Sequence, residues 1–158
     1  MPTGYTAKPS SMPWHWTAVS DIRGHCLCGA VTLTTSREHT LVAACHCGMC
    51  RRWGGGPMMV VPCGDDVRFE GEDNIRVFDS SDYAQRGFCS QCGSHLFYRV
   101  KQTNEYNIPV GLFDEQDHFR FDTQLCIDRK PDWYRFANDT DEITEAEEMA
   151  QRTPQDTE

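Results

Sequence analysis

Three thiols fall within the six residues Cys45-His46-Cys47-Gly48-Met49-Cys50, and four more form the tight pairs Cys26-x-Cys28 and Cys89-x-x-Cys92. That density is hard to explain as core packing. It points to metal ligands or reactive thiols, which the rest of the chain must fold to bring together. The chain has nine cysteines, an odd number, so a disulfide framework cannot use them all. Met1 to Ser20 carries Lys8 but no apolar run of export-signal length. No segment approaches the ~20 apolar residues of a membrane span. The expected compartment is the cytosol, where thiols stay reduced and clustered cysteines more often hold metal than pair.

A C-x-x-C followed by glycine, as in Cys89-Ser90-Gln91-Cys92-Gly93, is the usual form of a zinc knuckle. Cys26 and Cys28, two apart in an extended chain, point to one side and can grip one ion. Together these four make a closed four-thiolate set, the pattern of a structural zinc. Cys45, Cys47 and Cys50 are then left over. Three thiolates leave a fourth position open, the pattern of a catalytic zinc. Two alternatives stand beside this. One of the three could join the structural site, or the group could be a metal-free reactive thiol activated by Arg51 and Arg52. Cys63 and Cys126 are expected to pack as small apolar residues. His46 either supports the cluster from behind or lies on the surface. His25 and His95 are packing or supporting groups rather than ligands, and His15, His39 and His118 carry no supporting context.

The runs between the thiols read as short strands. They are 30–35, 41–44, 57–61, 67–70, 75–78, 96–100, 105–110 and 119–128, rich in β-branched or alternating residues. The pair 67–70 and 75–78, with Gly71-Glu72-Asp73-Asn74 between them, reads as a hairpin. The ordered part is expected to begin near Gly24. Residues 1–20 read as a flexible leader whose Trp14-His15-Trp16 docks as a tether. Residues 137–158 hold eight acids and one base, −7 of the formal −9. This acidic tail, taken as 139–158, contains Thr144-Glu145-Ala146-Glu147, a capping box for a short helix. The body, 21–138, is near neutral and lacks the basic surface that nucleic acid requires. Arg51-Arg52 suits one small anion. The fold class is mainly β with few short helices.

Gly24-x-Cys26-x-Cys28-Gly29-Ala30-Val31, Cys45-His46-Cys47-x-x-Cys50-Arg51 and Phe88-Cys89-x-x-Cys92-Gly93-Ser94 resemble the glutathione-dependent formaldehyde-activating enzyme family, which is grouped with centromere protein V. Val110-Gly111-Leu112-Phe113-Asp114 and Ile127-Asp128-Arg129-Lys130-Pro131-Asp132-Trp133-Tyr134 are similar to its C-terminal half. The resemblance implies a β-tent, a zinc-stitched set of antiparallel sheets. It implies a structural zinc on Cys26, Cys28, Cys89 and Cys92, and a second, catalytic zinc on Cys45, Cys47 and Cys50. It also implies carbon–sulfur lyase chemistry on a small thiol or carbonyl substrate, with glutathione and formaldehyde as the founding pair. Arg51, Arg52 and Trp53 are the expected substrate-binding residues. Arg52-Trp53-Gly54 stands where many members carry a small or basic residue followed by Ser-Gly. The other function class is a non-catalytic zinc module that binds a protein partner through the tail or Trp14-His15-Trp16.

Overall fold

In the computed structural model, which describes residues 21–152, eleven strands form two sheets. The leader with Trp14-His15-Trp16 and the last six residues lie outside the described part. Among the described residues no helix is long and apolar enough to cross a membrane.

The smaller sheet has the order β1-β2-β5, with β1 Asp21–His25, β2 Thr32–Ser36 and β5 Val67–Glu70, all antiparallel. Strand β1 starts before the expected Gly24. Its period-two burial places Ile22 and Gly24 inward. The larger sheet has the order β11-β10-β3-β4-β9-β8-β7-β6. Its strands are β3 Leu41–Cys45, β4 Met58–Gly64, β6 Ile75–Asp79, β7 Ala84–Cys89, β8 His95–Val100, β9 Glu105–Pro109, β10 Arg120–Leu125 and β11 Asp141–Ile143. It is antiparallel except where β10 runs parallel to both β3 and β11. Val42, Ala43 and Ala44 of β3 are all buried, so this strand reads as a continuous apolar run rather than an alternation. Pro62 sits next to a register shift between β4 and β9, a kind of irregularity at which sheets accept proline.

The expected hairpin does not form. Strand β5 pairs with β2, and β6 pairs with β7 in the other sheet. Between them a 3-10 turn, Glu72–Asn74, changes the chain's direction. Asn74 then accepts a bond from Ser90 N–H at 2.7 Å, which ties the start of β6 to the knuckle. Alternation in each strand was legible, but it specifies a face and not a partner.

Two short helices complete the fold. Helix α1, Gly48–Gly54, carries the second half of the thiol cluster, where no helix was expected. Helix α2, Glu145–Arg152, opens on the expected capping box. Thr144 Oγ1 accepts from Glu147 N–H at 3.2 Å, and the Glu147 carboxylate accepts from Thr144 N–H at 2.8 Å. The acidic segment thus supplies the edge strand β11 and α2. Arg152 Nη1 of α2 donates to Tyr98 Oη at 2.6 Å.

The core lies between the sheets. It contains Ile22, Val31, Leu33, Val42, Val61, Leu96, Phe97, Ile108 and Phe113, with Cys26, Cys63 and Cys89 among them.

Candidate metal centres and adjoining cleft

The fold gathers the seven clustered cysteines into two groups, each with its sulfurs within 4.8 Å of one another. The first holds Cys26, Cys28, Cys89 and Cys92. Cys26 and Cys28 follow β1, Cys89 ends β7, and Cys92 lies in the turn before β8. The group therefore joins the small sheet to the large one. Cys26 and Cys28 sulfurs are 3.6 Å apart, and those of Cys28 and Cys89 are 3.8 Å apart. A tetrahedral zinc with ~2.3 Å bonds to sulfur sets its ligands about 3.8 Å apart, so the donor set fits that ion. Backbone N–H groups of Val31 and Gln91 point at Cys26 and Cys89 sulfurs at 3.3 and 3.4 Å. Ser94 Oγ accepts from Leu27 N–H at 3.0 Å and lies 3.2 Å from Cys92 Sγ. The Ser94 hydroxyl donates to Cys92 and pulls that thiol down to about 5. The N–H and hydroxyl contacts to Cys26, Cys89 and Cys92 favour thiolate sulfur.

The second group holds Cys45, Cys47 and Cys50. Cys45 ends β3, Cys47 caps α1, and Cys50 is buried in its first turn. Cys47 Sγ accepts from Cys50 N–H at 3.3 Å, the place a serine or aspartate oxygen usually takes. The Cys45 and Cys50 thiols also donate to Cys47 and hold it far below the ordinary thiol range. Cys45 is pushed up by its contacts with Cys126 and then Cys47, and Cys50 by Cys45 and Cys47. Three thiols this close share one negative charge among themselves, and a divalent cation is what lets all three ionise. The donor set thus fits zinc with one position left for another ligand. Cys126, buried with φ 55°, adjoins Cys45 but lies outside the group. Cys63 is buried in the core, its thiol pushed up to about 12 by burial.

His46 is fully buried, which removes the surface alternative. Its Nε2 lies 2.8 Å from Gln124 Oε1 and its Nδ1 lies 2.6 Å from Tyr134 Oη. Gln124 Nε2 donates to Thr140 Oγ1 at 2.9 Å, so its Oε1 faces His46 as an acceptor. Nε2 therefore carries the proton and Nδ1 accepts from the tyrosine hydroxyl. Burial lowers the His46 pKa and keeps the ring neutral. Its backbone N–H donates to Leu125 O at 3.0 Å, and its carbonyl accepts from Arg51 Nε at 2.9 Å. These four bonds hold the loop between Cys45 and Cys47.

The three expected substrate residues diverge in placement. Arg51 is half-buried and committed in part to the His46 carbonyl. Arg52 is exposed and borders two hollows. One, about 250 Å³, is lined by Gly48, Arg51, Arg52, Gly55 and the exposed Trp133. The other, about 230 Å³, is lined by Met49, Arg52, Trp53, Phe78, Ser80 and Arg86. Trp53 stacks on Phe78 with ring centres 6.2 Å apart and meets the His95 ring at 4.9 Å. Its Nε1 is buried and, among the described residues, has no hydrogen-bond partner. His95 thus packs, and His25 bonds Cys26 O and pairs with Asp114, both in supporting positions rather than as ligands. The sequence reading missed Gln124, Tyr134 and Arg86. Tyr134 lay within a recognised motif. Gln124 and Arg86 sat in strands with no local mark of burial.

The family model described as glutathione-dependent formaldehyde-activating enzyme matches residues 21–129. An uncharacterized lyase of Schizosaccharomyces pombe is 37% identical over 130 residues, covering 82% of this chain and 95% of that protein. A protein of Podospora anserina named "Putative glutathione-dependent formaldehyde-activating enzyme" is 31% identical over 88 residues, 51% of this chain and 40% of that one. A crystal structure of a Rhodobacter sphaeroides protein shares the fold, with TM-score 0.51 and 24% identity over 59% of this chain and 88% of that chain. The chain belongs to the glutathione-dependent formaldehyde-activating enzyme family.

Proposed function

We propose that the protein is a zinc-dependent carbon–sulfur lyase-type enzyme that makes and breaks the adduct of a small thiol with an aldehyde. Glutathione with formaldehyde, giving S-hydroxymethylglutathione, is the model pair. The observation that carries this reading is the three-sulfur group at the start of α1, beside a hollow of about 250 Å³ lined by Arg51 and Arg52. The family match and the lyase relative support it.

In the forward direction the thiol sulfur attacks the carbonyl carbon. A carbon–sulfur bond forms, the carbonyl π pair moves to oxygen, and the thiol proton ends on that oxygen. A zinc ion held by Cys45, Cys47 and Cys50 would supply Lewis acidity at its open position, for a thiolate or a carbonyl oxygen. The chain's own residues do the rest. The His46 bonds fix the spacing of the three sulfurs. Arg52, exposed and without a committed partner bond among the described residues, binds a substrate carboxylate. Arg51 shapes the loop and adds positive charge to the same wall. Trp133 forms the apolar side of the hollow, and Trp53 lines the neighbouring hollow of about 230 Å³.

The test is S-hydroxymethylglutathione formation above the uncatalysed rate by zinc-loaded protein, compared with Cys47→Ser. The expected outcome is loss of the rate enhancement in the variant, with the fold retained. Equal rates would overturn the proposal. Metal content separates it from the binding-module alternative, which requires one closed zinc and a thiol trio that holds none.

A further inference from the structure

Arg86 lies in β7, three residues before Cys89, and is only 2% exposed. A buried guanidinium cannot give up its charge, so it needs a counter-charge nearby or a large desolvation cost stands uncompensated. Among the described residues no carboxylate pairs with it. Its Nη2 instead points at Cys50 Sγ at 3.5 Å and its Nη1 at Met58 Sδ at 3.5 Å. The faces of Trp53 and Tyr98 lie 5.8 and 5.2 Å from its central carbon. Ring faces and a thioether offset part of a charge but supply no formal anion.

We infer that Arg86 is a positioning residue for a metal ion at the Cys45, Cys47 and Cys50 group, its guanidinium serving as the buried counter-charge of that centre. The inference rests on the metal reading proposed above. Three thiolates around a divalent cation carry one net negative charge, which one guanidinium cancels. The geometry fits, because Cys50 is itself 5% exposed and its sulfur faces the arginine rather than water. Met58 stands opposite Cys45 in the β3–β4 ladder, so the arginine fork spans from one thiol of the group to the neighbour of another. Arg86 is thereby the only described residue that links strand β7 to the group by a bond to one of its sulfurs.

The experiment compares full-length wild type, Arg86→Met and Arg86→Lys. Zn²⁺ affinity at each site is measured by competition with a chromophoric chelator, and thiolate-to-metal absorption is read in the Co²⁺-substituted proteins. The four-cysteine group in the same molecule is the internal reference. The expected result is two ions in wild type. In Arg86→Met the first ion is retained, and affinity at the second group falls about 10–100-fold, the range for losing a partner that supports a metal ligand. The Co²⁺ absorption of the three-thiolate centre weakens with it. Arg86→Lys, which keeps the charge, recovers most of both. A purely structural role predicts a lower unfolding midpoint with the ratio of the two affinities unchanged. That result in Arg86→Met overturns the inference. If Arg86→Met holds no metal at either group, Arg86→Lys decides. Two ions at near wild-type ratio support the counter-charge, and loss of the second ion alone overturns it. A wild type that holds one ion only overturns the metal reading and this inference with it.

Discussion

His46 shows how one side chain between two thiols of a cluster can hold the loop that carries both. Its ring accepts from the Tyr134 hydroxyl and donates to Gln124, partners 88 and 78 residues away in the chain. Nothing within ten residues of His46 announces either bond, so the sequence left its role open between support and surface. The same holds for Arg86, which lies in a run before the knuckle that carries no local mark of a strand or of burial. The cysteines were legible because metal-ligand spacing is local, whereas the groups that orient them are not. Removing the tyrosine hydroxyl leaves His46 Nδ1 without its donor in a buried place. An unsatisfied polar group of this kind costs about 1–3 kcal/mol. Tyr134→Phe is expected to lower the unfolding free energy, read from urea melts, by that amount, and to loosen metal at Cys45, Cys47 and Cys50 while leaving the four-cysteine group alone. A variant as stable as wild type would show that the hydroxyl is not needed by His46.

Helix α1 exists because a thiol caps its start and a glycine ends it. Gly55, at φ 89°, donates its N–H to Arg51 O at 2.7 Å, closing the last turn in the left-handed region. With seven residues the helix is too short to be stable alone, and Cys50 and Trp53 anchor it. The run of glycines after Trp53 signalled a turn, but not that a helix would precede it. At the other switch in the chain, Gly71 stands between β5 and β6 with φ 83°, and a Cβ there would lie 2.0 Å from Ala30 O. Both the backbone conformation and the contact exclude a side chain. The sequence offered Gly71 as a hairpin turn. Its function is instead to let the chain leave one sheet and enter the other. Gly71→Ala is expected to cost on the order of 2–4 kcal/mol, from left-handed strain and a clash with fixed backbone. Gly56→Ala, where no atom lies within 4 Å, is the control and should shift the midpoint little. Equal midpoints for the two variants would remove the argument.

At the scale of the molecule the proposal gives the two sulfur groups different work. The mainly β class followed from the strand-rich runs, and the sheet order did not, since parallel pairing of β10 with β3 brings together segments far apart in sequence. The four-cysteine group lies where the sheets meet and spans 61 residues between Cys28 and Cys89. An ion there would act as a cross-link that restricts the unfolded chain. By the same loop-entropy relation used for disulfides, a closed loop of that length contributes about 4 kcal/mol. For a chain of this size that corresponds to roughly 8–16 °C in Tm. The three-cysteine group closes a loop of only a few residues within β3 and α1, so an ion there would add little to chain restriction. Cys89→Ser in zinc-loaded protein is therefore expected to lower Tm by roughly 8–16 °C. Cys47→Ser should shift Tm little, because a serine hydroxyl can take over the capping bond from Cys50 N–H. Calorimetry on the two variants at equal zinc separates the roles. A drop for Cys47→Ser as large as that for Cys89→Ser would mean that the group beside the cleft also carries the fold, and that the division between a structural and a chemical centre is wrong.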